Sequence, residues 1–120
     1  MPQKHGLAKS FLFAFKGFKW ALEERNFRIH LFISFIVILA GFAFTISPLE
    51  WIAVLCCMTA VITLEIINTS IEKTIDLLHP ERHPEAGKIK DLSAASVLLA
   101  AMLSVIIGSI IFLPKLLVLL

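Results

Sequence analysis

Long stretches without charged side chains divide this chain and constrain its fold more than any other feature. No Asp, Glu, Lys or Arg occurs in residues 31–49, 51–64 or 92–114. A helix needs roughly 20 mostly apolar residues to cross the hydrocarbon core of a bilayer, and the first and third runs meet that length. The second run is shorter, but apolar residues continue beyond it at helical spacing. We therefore predict one helix over 50–78, ending before Pro80.

The composition is that of an integral membrane protein. Of the 120 residues, 58% are hydrophobic and 17% are charged, whereas a soluble domain carries roughly 45–50% apolar and about 25% charged residues. So short a chain has too much surface to hide these side chains from water. This argues against a soluble globular protein, disorder and a coiled coil. We expect one all-α membrane domain over 1–120, with transmembrane helices at 31–49, 50–78 and 92–114. The net charge of +2 gives no reason to expect nucleic acid as a partner.

Residues 1–29 predict an amphipathic helix in the membrane interface. At 100° per residue, one sector of about 60° holds the apolar side chains of Phe11, Phe15, Phe18 and Leu22. The nearly opposite side holds Lys9, Lys16, Lys19 and Glu23. These lysines interrupt the apolar core that a signal peptide needs. The helix is interpreted either as a membrane anchor or as a wall of a lipid-binding site.

The basic residues predict the orientation, because cytoplasmic loops carry an excess of Lys and Arg. Residues 1–30 hold six of them, and the connection 79–91 holds Arg82, Lys88 and Lys90. The connection 47–50 holds none, and Lys115 alone follows the third span. We expect the N-terminus and the 79–91 connection to lie in the cytoplasm.

An acidic stripe runs along the second predicted span. On a helical wheel its four polar residues fall within about 80°, and it climbs roughly 16 Å at about 1.5 Å per residue: Glu65, Asn68, Glu72 and Asp76. Acids near hydrocarbon depth are candidate functional sites. A polar seam between helices is the alternative interpretation.

Charge balance favours a metal and a nucleotide at this stripe. Three carboxylates repel one another, and the nearby Lys73 and Lys90 are too few to neutralise them. Oxygen ligands of this kind suit Mg²⁺, which usually arrives with phosphates. Glu65 is the most deeply embedded acid and is therefore a plausible general base.

The connection 79–91 contains two His-Pro pairs and Gly87, which predict a loop. Lys90 is a candidate to bind a phosphate as a point charge. Asp91 suits the N-cap of the third span, which is a purely structural role.

A family resemblance rests on three segments of the chain: Glu65-x-x-Asn68-Thr69-x-Ile71-Glu72-x-x-x-Asp76, Glu81-x-His83-Pro84, and Lys90-Asp91-x-x-Ala94-x-x-Val97-Leu98. Together they resemble the prokaryotic diacylglycerol kinase family. Two further segments are similar to its undecaprenol kinase branch in particular: Glu24-x-Asn26-x-Arg28-Ile29-His30 and Glu50-Trp51. The resemblance covers nearly the whole chain, from about residue 10 to residue 114.

The resemblance implies an ATP-dependent lipid kinase of the bacterial inner membrane. It implies a homotrimer of three-span protomers, each with a surface helix, whose active sites are shared between protomers. The reaction would transfer the γ-phosphate of MgATP to a lipid alcohol. Undecaprenol is the favoured acceptor, and diacylglycerol is the alternative.

The resemblance also implies roles for individual residues. Glu65 would be the catalytic base, and Glu24 and Glu72 would hold Mg²⁺. The lipid substrate would contact Glu65, Asn68, Lys9 and Arg28. The nucleotide site would comprise Phe13, Glu24, Glu72, Asp76, Glu81, Arg82, His83, Lys90 and Asp91.

The N-terminus departs from the family pattern. Phe13 stands where some members have Tyr, and Gly6 stands where some have a phosphate-facing Arg. Lys4 or Lys9 is the expected substitute for that Arg.

Two other classes of protein share the membrane fold. In a proton-coupled transporter Glu65 would titrate beside an aqueous path. A structural adaptor would need no acidic stripe. Stabilisation of the fold by MgATP distinguishes a kinase from a transporter, and loss of Glu65 should leave the function of an adaptor intact.

Overall fold

A computed structural model describes residues 6–120, and this part of the chain is all helical. It contains α1 (Leu7–Ala21), α2 (Arg25–Ala43), α3 (Pro48–Leu78) and α4 (Pro84–Leu119). The last three are long and apolar enough to cross a membrane, which confirms the predicted number of spans. Lys4 lies outside the described residues.

α2 begins and ends six residues before the predicted span 31–49. Arg25 and Arg28 do not delay the helix, because charged residues are compatible with helical backbone even where they would be costly inside a bilayer. The helix ends where Thr45 takes a positive φ of 48° and the Ile46 N–H donates to the Gly41 carbonyl at 3.2 Å. The preceding helix, α1, ends at Ala21, eight residues before the predicted end at 29.

α3 ends at Leu78, as predicted, and begins two residues earlier than expected. Its start is a capping box, in which the Ser47 hydroxyl accepts from the Glu50 N–H at 3.2 Å and the Glu50 carboxylate accepts from the Ser47 N–H at 3.1 Å. Pro48 occupies the first turn, where a missing N–H costs nothing.

α4 corrects the prediction of a loop over 79–91 and of a span limited to 92–114. The helix begins at Pro84 and His83 is its N-cap, with its Nδ1 accepting from the Glu85 N–H at 3.1 Å. Asp91 therefore lies inside the helix and is not its N-cap. A proline that usually breaks a helix starts one here, because its fixed φ suits the first helical position.

α4 also continues through Pro114 to Leu119. Proline removes one hydrogen bond from a helix interior. The Lys115 ammonium donates to the Ile111 carbonyl at 3.2 Å, beside the Ile110 carbonyl whose usual donor Pro114 lacks. Side-chain donors of this kind help transmembrane helices to tolerate proline.

α4 packs along α3 more extensively than α2 does. Ile46, Val54 and Ile111 form a buried apolar cluster near the start of α3. The acidic stripe occupies the other half of α3, so the apolar core and the polar site are separated along one helix. Large apolar side chains remain exposed on all four helices, as expected of a surface that meets lipid.

Candidate active site

The stripe on α3 passes from buried to exposed within three helical turns. Glu65 is 4% exposed and Asn68 is 5% exposed, whereas Glu72 is half-buried and Asp76 is exposed. The buried end faces the other helices. A carboxylate shielded from water therefore lies on the same face as carboxylates that solvent can reach.

His30 is the closest basic group to Glu65 among residues 6–120. Its Nε2 atom, on α2, lies 3.8 Å from the Glu65 Oε2 atom on α3. The distance is that of an ion pair and is too long for a hydrogen bond. His30 belongs to one of the segments that carry the family resemblance, but no role was predicted for it.

Asn68 links the buried and exposed parts of the stripe. Its Nδ2 donates to Glu72 Oε1 at 3.3 Å. Its Oδ1 is buried and has no hydrogen-bond partner within the described part of the chain. Buried polar atoms are usually satisfied, so an incoming hydroxyl group would find an acceptor ready at this position.

Glu24 reaches the stripe from the turn between α1 and α2. It is the N-cap residue of α2, but its carboxylate makes no capping hydrogen bond. Instead Glu24 Oε1 lies 3.0 Å from Lys73 Nζ on α3. Glu24 and Glu72 both act electrostatically on Glu65. The fold thus gathers three carboxylates from positions 24, 65 and 72.

Lys90 forms an ion pair with Asp76 and ties the first turns of α4 to the last turns of α3. The ammonium group stands at the exposed end of the stripe, on the side where Glu72 and Asp76 are open to solvent. The sequence did not indicate this pairing, because the two residues belong to different helices.

Several other predicted site residues are exposed or have partners outside the stripe. Five of them are exposed and form no ion pair with it in the described structure: Lys9, Glu81, Arg82, His83 and Asp91. Phe13 is exposed and carries the Lys16 ammonium 5.7 Å above its ring. Arg28, predicted to contact lipid, donates from Nη1 to the Leu22 and Glu23 carbonyls at 3.0 Å each.

An apolar cavity of about 440 Å³ opens between α2, α3 and α4. Its walls are mainly aliphatic, and His30 is its only basic lining residue. His30 also approaches Glu65, so the cavity adjoins the buried end of the stripe. Sequence reasoning missed this cavity, because its lining residues come from three separate helices.

The donor set limits the kinds of metal site that are possible. No cluster of three or more His, Cys, Asp or Glu side chains in residues 6–120 is arranged to hold a metal ion. The carboxylates of Glu24 and Glu72 fit a hard cation that phosphates and water help to coordinate, which is the usual situation for Mg²⁺.

Comparison with known proteins accounts for this arrangement. The family model of prokaryotic diacylglycerol kinase matches residues 12–112. The undecaprenol kinase of Bacillus subtilis is 40% identical over 109 residues, covering 90% of this chain and 89% of that protein. The diacylglycerol kinase of Synechocystis is 41% identical, covering 92% of this chain and 65% of that protein. The diacylglycerol kinase of Haemophilus influenzae is 31% identical, covering 88% and 92%.

The family model covers α2, α3 with its acidic stripe, and α4 as far as residue 112. Because the matched proteins are lipid kinases, the matches exclude the transporter and adaptor interpretations. The chain therefore belongs to the prokaryotic diacylglycerol kinase family and is a multi-pass membrane lipid kinase.

Proposed function

We propose that this kinase transfers the γ-phosphate of MgATP to the hydroxyl of undecaprenol and so forms undecaprenyl phosphate. The observation that carries the choice of acceptor is the similarity to an undecaprenol kinase, which covers about nine-tenths of both chains. Diacylglycerol is the second candidate, because several relatives are diacylglycerol kinases.

Glu65 acts as the general base of this reaction. Its carboxylate accepts the proton of the lipid hydroxyl as the hydroxyl oxygen forms a bond to the γ-phosphorus. The bond between that phosphorus and the bridging oxygen breaks, and ADP leaves with the electron pair. The proximity of Glu65 to His30, which lines the apolar cavity, supports this role, because a base for a lipid hydroxyl must lie where the lipid headgroup can reach it. The unpartnered Asn68 Oδ1 provides a nearby acceptor to orient the same hydroxyl.

Glu24 and Glu72 hold Mg²⁺ together with the phosphates of ATP. The carboxylates of Glu24 and Glu72 come from two different segments, and both influence Glu65 electrostatically. Mg²⁺ is commonly bound by one or two carboxylates plus phosphates. When bound, the ion neutralises phosphate charge, as in other phosphoryl transfers. With the ion bound, Lys73 would lose its contact with Glu24, and its exposed position would leave the ammonium group in water.

The nucleotide lies at the exposed end of the stripe. Asp76 and Lys90 border this end, and Glu81, Arg82 and His83 follow in the short connection to α4. The family resemblance also assigns Asp91 and Phe13 to the nucleotide site. It assigns Lys9 and Arg28 to the site that binds the lipid. Lys90 contributes a positive charge that a phosphate group can approach.

The active protein is a homotrimer whose sites are shared between protomers. One protomer offers few walls around the stripe, since Glu72 is half-buried and Asp76 is exposed. A neighbouring protomer would enclose the nucleotide and cover part of the exposed apolar surface. α1 lies along the interface as an amphipathic helix, with its lysines toward water.

The N-terminus and the α3–α4 connection face the cytoplasm, where ATP is available. α3 has 31 residues and is about 46 Å long at 1.5 Å per residue. The hydrocarbon core is only about 30 Å thick. If Pro48 marks the outer boundary, Glu65 lies just inside the cytoplasmic boundary and Glu72 lies beyond it. The lipid hydroxyl and the nucleotide would therefore meet between Glu65 and Glu72.

Side-by-side phosphorylation assays test this proposal. Purified protein in detergent is supplied with radiolabelled ATP, Mg²⁺ and either undecaprenol or diacylglycerol, with Glu65→Gln as the blank. We expect transfer to undecaprenol with a clearly higher kcat/KM. Preference for diacylglycerol would mean that the protein is a lipid kinase with diacylglycerol, not undecaprenol, as its acceptor. No transfer to either lipid by folded protein would overturn the proposal.

A further inference from the structure

The immediate surroundings of Glu65 contain more negative than positive charge. The charged groups that act on its carboxylate are Glu72 on the same helix, Glu24 from the α1–α2 turn, and His30 on α2. Only His30 is basic. Glu65 accepts no hydrogen bond within the described part of the chain, so no other polar contact there fixes the direction of its carboxylate.

His30 is placed to supply that direction. Its side chain is 23% exposed, that of Glu65 is 5% exposed, and the two approach to 3.8 Å across the α2–α3 interface. An attraction between groups shielded from water is stronger than one at the surface. The imidazole thus lies on the Oε2 side of the carboxylate, and when protonated it attracts that oxygen toward α2.

His30 also stands where the polar site meets the apolar cavity. It lines the cavity together with Ser34, one turn further along α2, and with Val61, one turn before Glu65 on α3. A carboxylate turned toward His30 therefore points to the polar edge of a space lined by aliphatic side chains. That edge is where the hydroxyl end of a lipid would meet a base.

We propose that His30 is a positioning residue for the kinase reaction and acts through Glu65. It keeps the carboxylate in the orientation that receives the proton of the lipid hydroxyl, and it offsets the repulsion from Glu24 and Glu72. His30 itself neither touches the γ-phosphate nor takes part in bond making. This inference depends on the proposed role of Glu65 as the base.

Steady-state kinetics with a double-mutant comparison test the inference. The variants are His30→Leu, His30→Gln, Glu65→Gln and the double variant His30→Leu/Glu65→Gln. Ser34→Ala is the matched control, since it removes a polar group from the same cavity without altering the contact to Glu65. The kcat, the KM for MgATP and the KM for undecaprenol are measured, and thermal unfolding in detergent confirms that each protein is folded.

A positioning role predicts a selective loss of kcat. A small misplacement of a reacting group costs up to about 100-fold in rate, so we expect His30→Leu to lower kcat by about 10–100-fold with both KM values within about 2-fold of the parent. His30→Gln retains an N–H group at a similar position and should recover part of the loss. The residual rate of Glu65→Gln should not fall further when His30→Leu is added.

Separate outcomes refute the two proposals. Normal kcat in His30→Leu, with Glu65→Gln inactive, would overturn the role of His30 alone. An equal loss from His30→Leu in both backgrounds would also overturn it, because His30 would then act independently of Glu65. Near-normal turnover of Glu65→Gln would refute the base itself. If His30→Leu fails to fold, His30→Gln is judged by the same criteria.

Discussion

Lys73 Nζ lies 3.0 Å from Glu24 Oε1, so a lysine on α3 binds a carboxylate of the turn that joins α1 to α2. Glu24 is one of the two carboxylates proposed to hold Mg²⁺. The ammonium group and the metal ion therefore compete for the same oxygen atoms. Both side chains are partly exposed, so this ion pair is weak enough to open.

Replacing Lys73 by Met should make Mg²⁺ binding tighter. Exposed ion pairs are weak, so we expect a modest gain in affinity of about 2–5-fold. Binding of Mn²⁺ as a spectroscopic substitute measures the affinity without nucleotide. Lys73→Arg, which keeps the pair, is the control, and Glu72→Ala should weaken binding. Weaker binding by Lys73→Met would show that Lys73 supports the site.

Glu65→Gln should abolish phosphoryl transfer while the protein still folds and binds MgATP. General-base catalysis contributes about 10²–10⁴-fold, and glutamine cannot accept the proton. Turnover should fall at least about 100-fold, with stabilisation by MgATP in thermal unfolding unchanged. A variant with near-normal turnover would remove Glu65 from the role of base.

Arg28→Gln should loosen the turn between α1 and α2. The guanidinium donates to two carbonyls of that turn, and glutamine is too short to do so. Loss of roughly 1 kcal/mol should accelerate limited trypsin cleavage after Arg25 by about 5-fold, and Arg28→Lys should show an intermediate rate. A contact between Arg28 and lipid predicts a different result, namely a raised KM for the lipid with unchanged cleavage.

Gly41→Val should destabilise the fold through a clash with an aromatic ring. A Cβ atom at Gly41 would lie 2.5 Å from the Cη2 atom of Trp51. Overpacking of this kind typically costs about 1–3 kcal/mol, and thermal unfolding in detergent measures it. Gly17→Val is the matched control, because a Cβ there meets no atom within 4 Å. Equal losses from both variants would mean that only helix propensity had changed.

Lys115→Met should lower stability without lowering kinase activity. Lys115 Nζ lies 2.6 Å from Glu50 Oε2, and both side chains are partly exposed. Glu50 precedes Glu65 by about 22 Å along α3 at 1.5 Å per residue, so the pair is remote from the site. A double-mutant cycle with Glu50→Gln, which preserves the capping box, should show that the two losses of stability are not additive. Additive losses would show that the pair contributes nothing.

The boundaries of the helices show where reasoning from sequence succeeds. The predicted end of α3 before Pro80 was correct, because proline disfavours helical backbone in the preceding residue. The predicted start of α4 was wrong, because Pro84 occupies a first helical turn rather than interrupting a helix. A proline has opposite effects at the two ends of a helix, and the sequence alone does not show which end it occupies.

The acidic stripe itself was predictable from spacing. Residues 65, 68, 72 and 76 share one face of any α-helix, whatever surrounds that helix. The motifs of this stripe also carried the family resemblance. Local periodicity and apolar length thus determined three spans and the polar face, whereas the class of enzyme was indicated only by the family resemblance.

The partners of that stripe were decided only by the tertiary structure. His30 meets Glu65, Glu24 meets Lys73, and Lys90 meets Asp76, in each case between residues from different helices or turns. Such contacts depend on how the helices pack and on the rotation of each helix about its axis, which no local pattern specifies. The sequence determined which groups are available for chemistry, and packing decided which of them act together.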